Sequence, residues 1–167
     1  ARRIETKGGA MLGDVVGLGK SITATAVAAM LSEVHGWDTL VICPPNLQKM
    51  WQTEYIDEYE IPGRVVPYSM AAKILPTLRR FRFVIVDESH TMRNSKRQDY
   101  QALLEYLRRN DCKVLLLTAT PFNIRFLDVA NQIGLFIDDD DDLGLEPLAA
   151  MALDPHLGDK VDGKTST

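Results

Sequence analysis

The segment GDVVGLGKS, Gly13 to Ser21, sets glycines, a lysine and a hydroxyl in an order that suits a chain of phosphates. Gly17 and Gly19 allow the backbone to curl until successive N–H groups face an anion, and a helix starting just after them would turn its positive N-terminus the same way. Lys20 would reach the β and γ phosphates, and Ser21 would offer its hydroxyl oxygen to Mg2+. Gly17, Leu18, Gly19, Lys20, Ser21 and Ile22 are thus the expected nucleotide-binding set. The strict spacing GxxxxGK[ST] asks for glycine at position 14, where this chain has Asp14. Taken alone, the segment therefore also fits an ordinary glycine-rich turn before a helix.

Two further segments end in groups that could act on a bound triphosphate. VIVDESH, Val84 to His90, is an apolar run delivering two adjacent carboxylates, and ligand sites of open α/β sheets lie at such strand ends. Asp87 would hold Mg2+ opposite Ser21, while Glu88 would orient and deprotonate the attacking water. The alternative is an acidic strand end capping the next helix. LLLTATPFN, Leu115 to Asn123, is a strand ending in small hydroxyl residues. Thr118 and Thr120 either sense the γ-phosphate or form a turn before Pro121. Glu88, Asp87 and Lys20 form the expected catalytic set, with Ser21 and Asp87 as metal ligands.

For these groups to meet, a parallel sheet must bring strand ends to one edge. Short apolar runs alternate with longer helical stretches along the chain, the pattern of βαβ units with helices on both faces. Strands are expected at Ala10–Leu12, Thr39–Cys43, Val65–Tyr68, Phe83–Val86 and Lys113–Leu117. The alanine-rich stretch Ser21–Val34 should be helical, stopped by Gly36. Pro44 and Pro45 break the second strand, and Asn46 is placed to cap a helix running to about Tyr59. Further helices are expected at Met70–Arg80 with an interruption at Pro76, at Gln98–Arg109, and at Phe126–Phe136. The lysine-serine pair and the twin acids are expected to converge from adjacent strands.

Size and composition are those of one ordinary α/β domain: 167 residues, 46% hydrophobic and 25% charged. The formal charge of −4 divides unevenly. Residues 1–137 carry 17 Lys and Arg against 14 Asp and Glu, whereas 138–167 carry 2 against 9. The mildly basic body is compatible with phosphate contacts. The acidic end forms no periodic element and is expected to be a partly disordered tail or a truncated insertion beyond a domain spanning 1–137. Cys43 and Cys112 each sit in an apolar run without CxxC spacing, so both read as reduced core residues. No run approaches the roughly 18 apolar residues that span a bilayer, and no signal sequence is recognisable. A cytoplasmic, nucleoid-associated prokaryotic location is expected, with no membrane partner. The chain begins at Ala1 rather than methionine, which points to a piece of a longer protein.

Taken in order, GDVVGLGKS, LVICPPNLQKMWQTEY, VIVDESHTMRNSKRQDYQAL and LLLTATPFN resemble motifs I, Ia, II and III of superfamily two helicases, specifically the Swi/Snf-type DNA translocases. The resemblance runs from about Gly9 to Phe136. It is carried by the GLGKS ending, by Trp51 after the double proline, and by Arg93-Asn94-Ser95-Lys96 after the acidic motif. It implies a three-layer RecA-like P-loop NTPase lobe using ATP and Mg2+, in which Asp14 is expected where glycine is missing. It also implies that His90, Thr118 and Thr120 couple nucleotide state to DNA grip. Pro45, Asn46 and Lys49 would face the DNA backbone, Lys49 fitting a solvated surface equally well. The implied partners are double-stranded DNA and a second RecA-like lobe of the same parent chain, whose arginine fingers this chain lacks. The isolated lobe is therefore expected to bind Mg-ATP weakly and to turn it over slowly. DESH stands where DEAH or DEGH is commoner, and no adenine-reading glutamine segment precedes motif I. The alternatives are an RNA helicase lobe of the DEAD/DEAH type and a nucleotide-gated binding module without turnover.

Overall fold

Successive side chains of a strand point to opposite faces, so an unbroken apolar run is stable only when both faces are covered. A computed structural model of the chain describes residues 4, 6, 8–13, 19–118 and 132–136. Within them Leu40, Ile42, Val84, Val86, Val114 and Leu116 turn to one core, and their neighbours Val41, Cys43, Phe83, Ile85, Leu115 and Leu117 turn to a second. The expected three-layer α/β fold is what results. The strands are β1 Gly9–Gly13, β2 Thr39–Cys43, β3 Gly63–Pro67, β4 Phe83–Val86 and β5 Lys113–Thr118. All pair in parallel, in the order β1-β5-β4-β2-β3.

That order corrects one expectation. The strand before the glycine-rich segment and the strand before the twin acids are not neighbours, because β5 lies between them. Burial explains the exchange. β5 is buried at five successive residues and fits a central position, whereas β1, only partly buried over Ala10–Leu12, takes the edge. The register nevertheless brings the three carboxyl ends within two residues of one another: Gly13 lies opposite Thr118, and Val86 opposite Leu116.

Helix α1, Lys20–His35, buries Ala24, Ala28 and Leu31, the i, i+4, i+7 stripe of its alanine-rich sequence. Gly36 ends it in the left-handed conformation, φ 66°, its N–H donating to Ser32 O at 2.8 Å. On the other face α2, Tyr68–Ile74, and α3, Gln98–Asn110, bury Tyr68, Ala71, Leu103 and Tyr106. Tyr68 thus opens a helix instead of closing a strand, and α2 gives way to a 3-10 turn, Leu75–Thr77, at Pro76. Gly63 is required by contact: a Cβ there would meet Thr39 O at 2.7 Å.

Between β2 and β3 the expected single helix is a composite of a 3-10 turn Pro45–Leu47, an α turn Gln48–Met50 and π-helical turns Trp51–Asp57. Asn46 is not its cap. Pro44 is extended, and the fixed φ of Pro45 starts the helix two residues earlier than a cap at Asn46 would, at a position where a missing N–H costs nothing. The widened turns bring Trp51 and Ile56, five residues apart, onto the sheet together. The helix expected at Phe126–Phe136 is described only at 132–136, where Leu135 joins the core. Residues 138–167 lie outside the described residues.

Candidate nucleotide site at the carboxyl edge of the sheet

Parallel strands end at one edge, and a helix returning from that edge starts there. α1 begins at Lys20 immediately after Gly19, whose left-handed backbone, φ 77° and ψ 26°, is open to glycine without penalty. A Cβ on Gly19 would also meet Ile22 Cγ2 at 3.1 Å. Lys20 and Ser21 are half-buried and Ile22 is exposed. The side chains of Thr23 and Thr25 bond back to Gly19 O and Ser21 O at 3.0 and 2.8 Å, tying down the first turn. Gly17, Leu18 and Thr120 lie outside the described residues.

Asp87 follows β4 directly, and its backbone N–H donates to Ile42 O of β2 at 2.8 Å. The carboxyl group is nearly enclosed, 6% exposed, and both of its oxygens are engaged. The Trp51 indole N–H donates to Oδ2 at 2.7 Å, and the Glu88 backbone N–H donates to Oδ1 at 2.8 Å. The Tyr68 hydroxyl donates to the main-chain oxygen of the same residue. A carboxylate accepts about four hydrogen bonds, so each oxygen keeps capacity for a cation. Burial pushes the Cys43 thiol up to about 12, with the Asp87 charge adding to it. Burial likewise raises the Tyr68 hydroxyl, opposed by a hydrogen bond with Thr91 and reinforced by Asp87. Both stay protonated beside the carboxylate, as the reading of Cys43 as an inert core thiol requires.

Glu88 adopts the left-handed conformation, φ 50° and ψ 47°, which turns the chain sharply out of β4. Such backbone in a non-glycine residue costs about 1–3 kcal/mol and collects at functional sites. His90 Nδ1 lies 3.1 Å from Glu88 Oε2, an ion-pair distance, yet without hydrogen-bond alignment. Thr118 closes β5 on the neighbouring strand, 1% exposed, and its hydroxyl has no hydrogen-bond partner among the described residues. Ser89, the residue that departs from the commoner alanine or glycine, is fully buried and donates to Gln132 Oε1 at 2.8 Å. Pro45, Asn46 and Lys49 are exposed on the composite helix that leaves the carboxyl end of β2.

The structure thus brings the helix start at Lys20, the acids Asp87 and Glu88, His90 and Thr118 to one edge, and sets Pro45, Asn46 and Lys49 on its rim. Mg2+ characteristically takes one or two carboxylates together with phosphate oxygens, so a single oriented aspartate, an available serine and an unpartnered threonine hydroxyl fit a magnesium-triphosphate. The sequence reading overlooked the donors behind Asp87 and the Ser89–Gln132 bond. Trp51 was conspicuous only as a family mark, and no local pattern announces contacts across 36 and 43 positions.

Fold and edge together define a RecA-like lobe of the helicase type, and residues 58–127 match the DEAD/DEAH box helicase family. Over 151 residues the chain is 30% identical to the SWI/SNF-related matrix-associated actin-dependent regulator of chromatin subfamily A-like protein 1 of Drosophila melanogaster, covering 78% of this chain and 20% of that protein. It is 27% identical to the uncharacterized ATP-dependent helicase YqhH of Bacillus subtilis, covering 77% of this chain and 26% of that one. The Sulfolobus solfataricus SWI2/SNF2 ATPase core in complex with dsDNA shares the fold with a TM-score of 0.65 at 17% identity, covering 81% of this chain and 34% of that core. The chain belongs to the Swi/Snf-type branch of superfamily two helicases, as an N-terminal RecA-like lobe. It spans between 20% and 34% of the length of each of these proteins. Bacterial and animal relatives stand side by side, so the expected prokaryotic location finds no support. No helix among the described residues is long and apolar enough to cross a membrane.

Proposed function

We propose that this lobe binds Mg-ATP at the carboxyl edge and drives movement on double-stranded DNA as half of a two-lobed ATPase motor. The observation that carries the reading is Asp87, a nearly enclosed carboxylate held by buried donors one strand away from the unpartnered Thr118 hydroxyl. Lys20 and the first N–H groups of α1 would neutralise phosphate charge, with Gly17, Leu18 and Gly19 shaping the loop before them. Ser21 and Asp87 would hold Mg2+, whose part is to draw charge from the β and γ oxygens. Glu88 would take the proton of the attacking water. Thr118, Thr120 and His90 would register the γ-phosphate and pass its state to the exposed Pro45, Asn46 and Lys49.

An arginine finger supplied by a partner element is worth about 10³ to 10⁵ in rate, so the lobe by itself should turn over slowly. Double-stranded DNA is favoured as the track because a solved relative with this fold holds it. The test is ATP hydrolysis by the parent protein alone, with duplex DNA and with RNA, for wild type and Lys20→Ala. Stimulation by duplex DNA that is lost in the variant supports the reading. Stimulation by RNA alone moves the track to RNA, and no ATP use in either case leaves a nucleotide-gated binding module.

A further inference from the structure

A buried indole N–H needs an acceptor, and a neutral backbone carbonyl would serve. Trp51 instead spends its N–H on a carboxylate. It is completely buried, 2.7 Å from Asp87 Oδ2, yet 36 residues earlier in the chain, with all of β3 and β4 between them. The π-helical turns begin at this residue, and its ring packs against Tyr55 with centroids 5.0 Å apart, so the indole has little freedom to rotate. A donor fixed on one oxygen, with the Glu88 N–H on the other, determines the plane of the carboxyl group and therefore where its remaining lone pairs point.

We propose that Trp51 is a positioning residue for the metal: its N–H holds the Asp87 carboxylate in the orientation that receives Mg2+ with the nucleotide. The inference rests on the reading of Asp87 as a metal-holding group. Partners that orient a metal-binding carboxylate are worth about tenfold or more in metal affinity when removed. A purely structural tryptophan predicts something different, namely a loss of stability without a selective change in the response to Mg2+.

The full chain is titrated with a mant-labelled ATP, followed by anisotropy, once with excess Mg2+ and once in EDTA. Trp51→Phe keeps an aromatic ring but removes the donor, and should weaken the Mg2+-dependent binding about tenfold while leaving binding in EDTA unchanged. Incorporating 3-benzothienylalanine at position 51 replaces the N–H by sulfur at nearly constant shape and should reproduce that loss. It carries the test if Trp51→Phe does not fold, as judged by circular dichroism. Asp87→Asn separates the two claims. If Asp87→Asn abolishes the Mg2+ effect and both changes at position 51 keep it, Trp51 is only core and the inference is overturned. If Asp87→Asn also keeps the full Mg2+ effect, the metal site itself is misplaced and the inference falls with it.

Discussion

The two edges of the sheet are furnished differently. At the amino edge the described polar side chains, Thr39 apart, are largely joined in pairs. Arg79 meets Asp38, Arg82 meets Asp111 at 2.9 Å, and Arg80 donates to Asn110 O. Arg109 donates to Leu75 O and Pro76 O, and the Tyr106 hydroxyl bridges Phe81 N–H and Arg79 O at 2.9 and 2.8 Å. At the carboxyl edge Thr118 Oγ1 and His90 Nδ1 are buried without hydrogen-bond partners among the described residues, and Glu88 sits in left-handed backbone. A buried unpaired polar group costs about 1–3 kcal/mol. One edge therefore closes the fold, and the other holds in reserve groups that a ligand would satisfy. Thr39, whose hydroxyl is also unpartnered, lies at the amino edge, and nothing in the structure explains it.

The contrast breaks if changes at the carboxyl edge damage the fold or changes at the amino edge damage nucleotide use. The largest effect is expected for Glu88→Gln, which keeps the shape of the side chain and removes the base. ATP hydrolysis by the parent protein should fall by about 10²- to 10⁴-fold. Its unfolding free energy should move by no more than about 0.5 kcal/mol, measured by urea titration. A cooperative loss of stability in this variant would make Glu88 a structural residue.

Tyr106→Phe is the converse, and smaller. Removing the hydroxyl leaves the Phe81 N–H inside the protein without an acceptor, at a cost of about 1–3 kcal/mol. Nucleotide affinity, read from the same mant-ATP titration, should stay at the wild-type value. A variant of unchanged stability and weakened affinity would show that the edges are not separate in function.

This division was partly legible in the residues themselves. β2 and β4 lie where expected, at Thr39–Cys43 and Phe83–Val86, because strands covered on both faces read as unbroken apolar runs. The helix at Gln98 was legible through Leu103 and Leu107, four apart and both buried. Two kinds of feature were not. Strand order depends on which run is best buried, a comparison among strands that no local window contains, so β5 went unplaced between β1 and β4. Backbone that responds to a neighbour, such as the π turns beginning at Trp51 and the left-handed Glu88, follows from contacts across the sheet. In the site the acids and the lysine could be read from their types, while Trp51, Tyr68 and Gln132, which hold the Asp87 to Ser89 turn in place, could not.

The finest discrimination comes from Thr118→Val, a change close to isosteric that deletes only the unpartnered hydroxyl. A hydroxyl with a partner inside the fold would cost about 1 kcal/mol to remove. One without a partner has nothing to lose, and the burial of a methyl in its place is neutral or gains up to about 1 kcal/mol. Stability at or slightly above the wild-type value is therefore expected, together with weaker stimulation of ATP hydrolysis by duplex DNA in the parent protein. Destabilisation beyond about 1 kcal/mol would mean that Thr118 serves the fold. The carboxyl edge would then hold nothing in reserve at β5, and the difference between the two edges would shrink to the acids of β4.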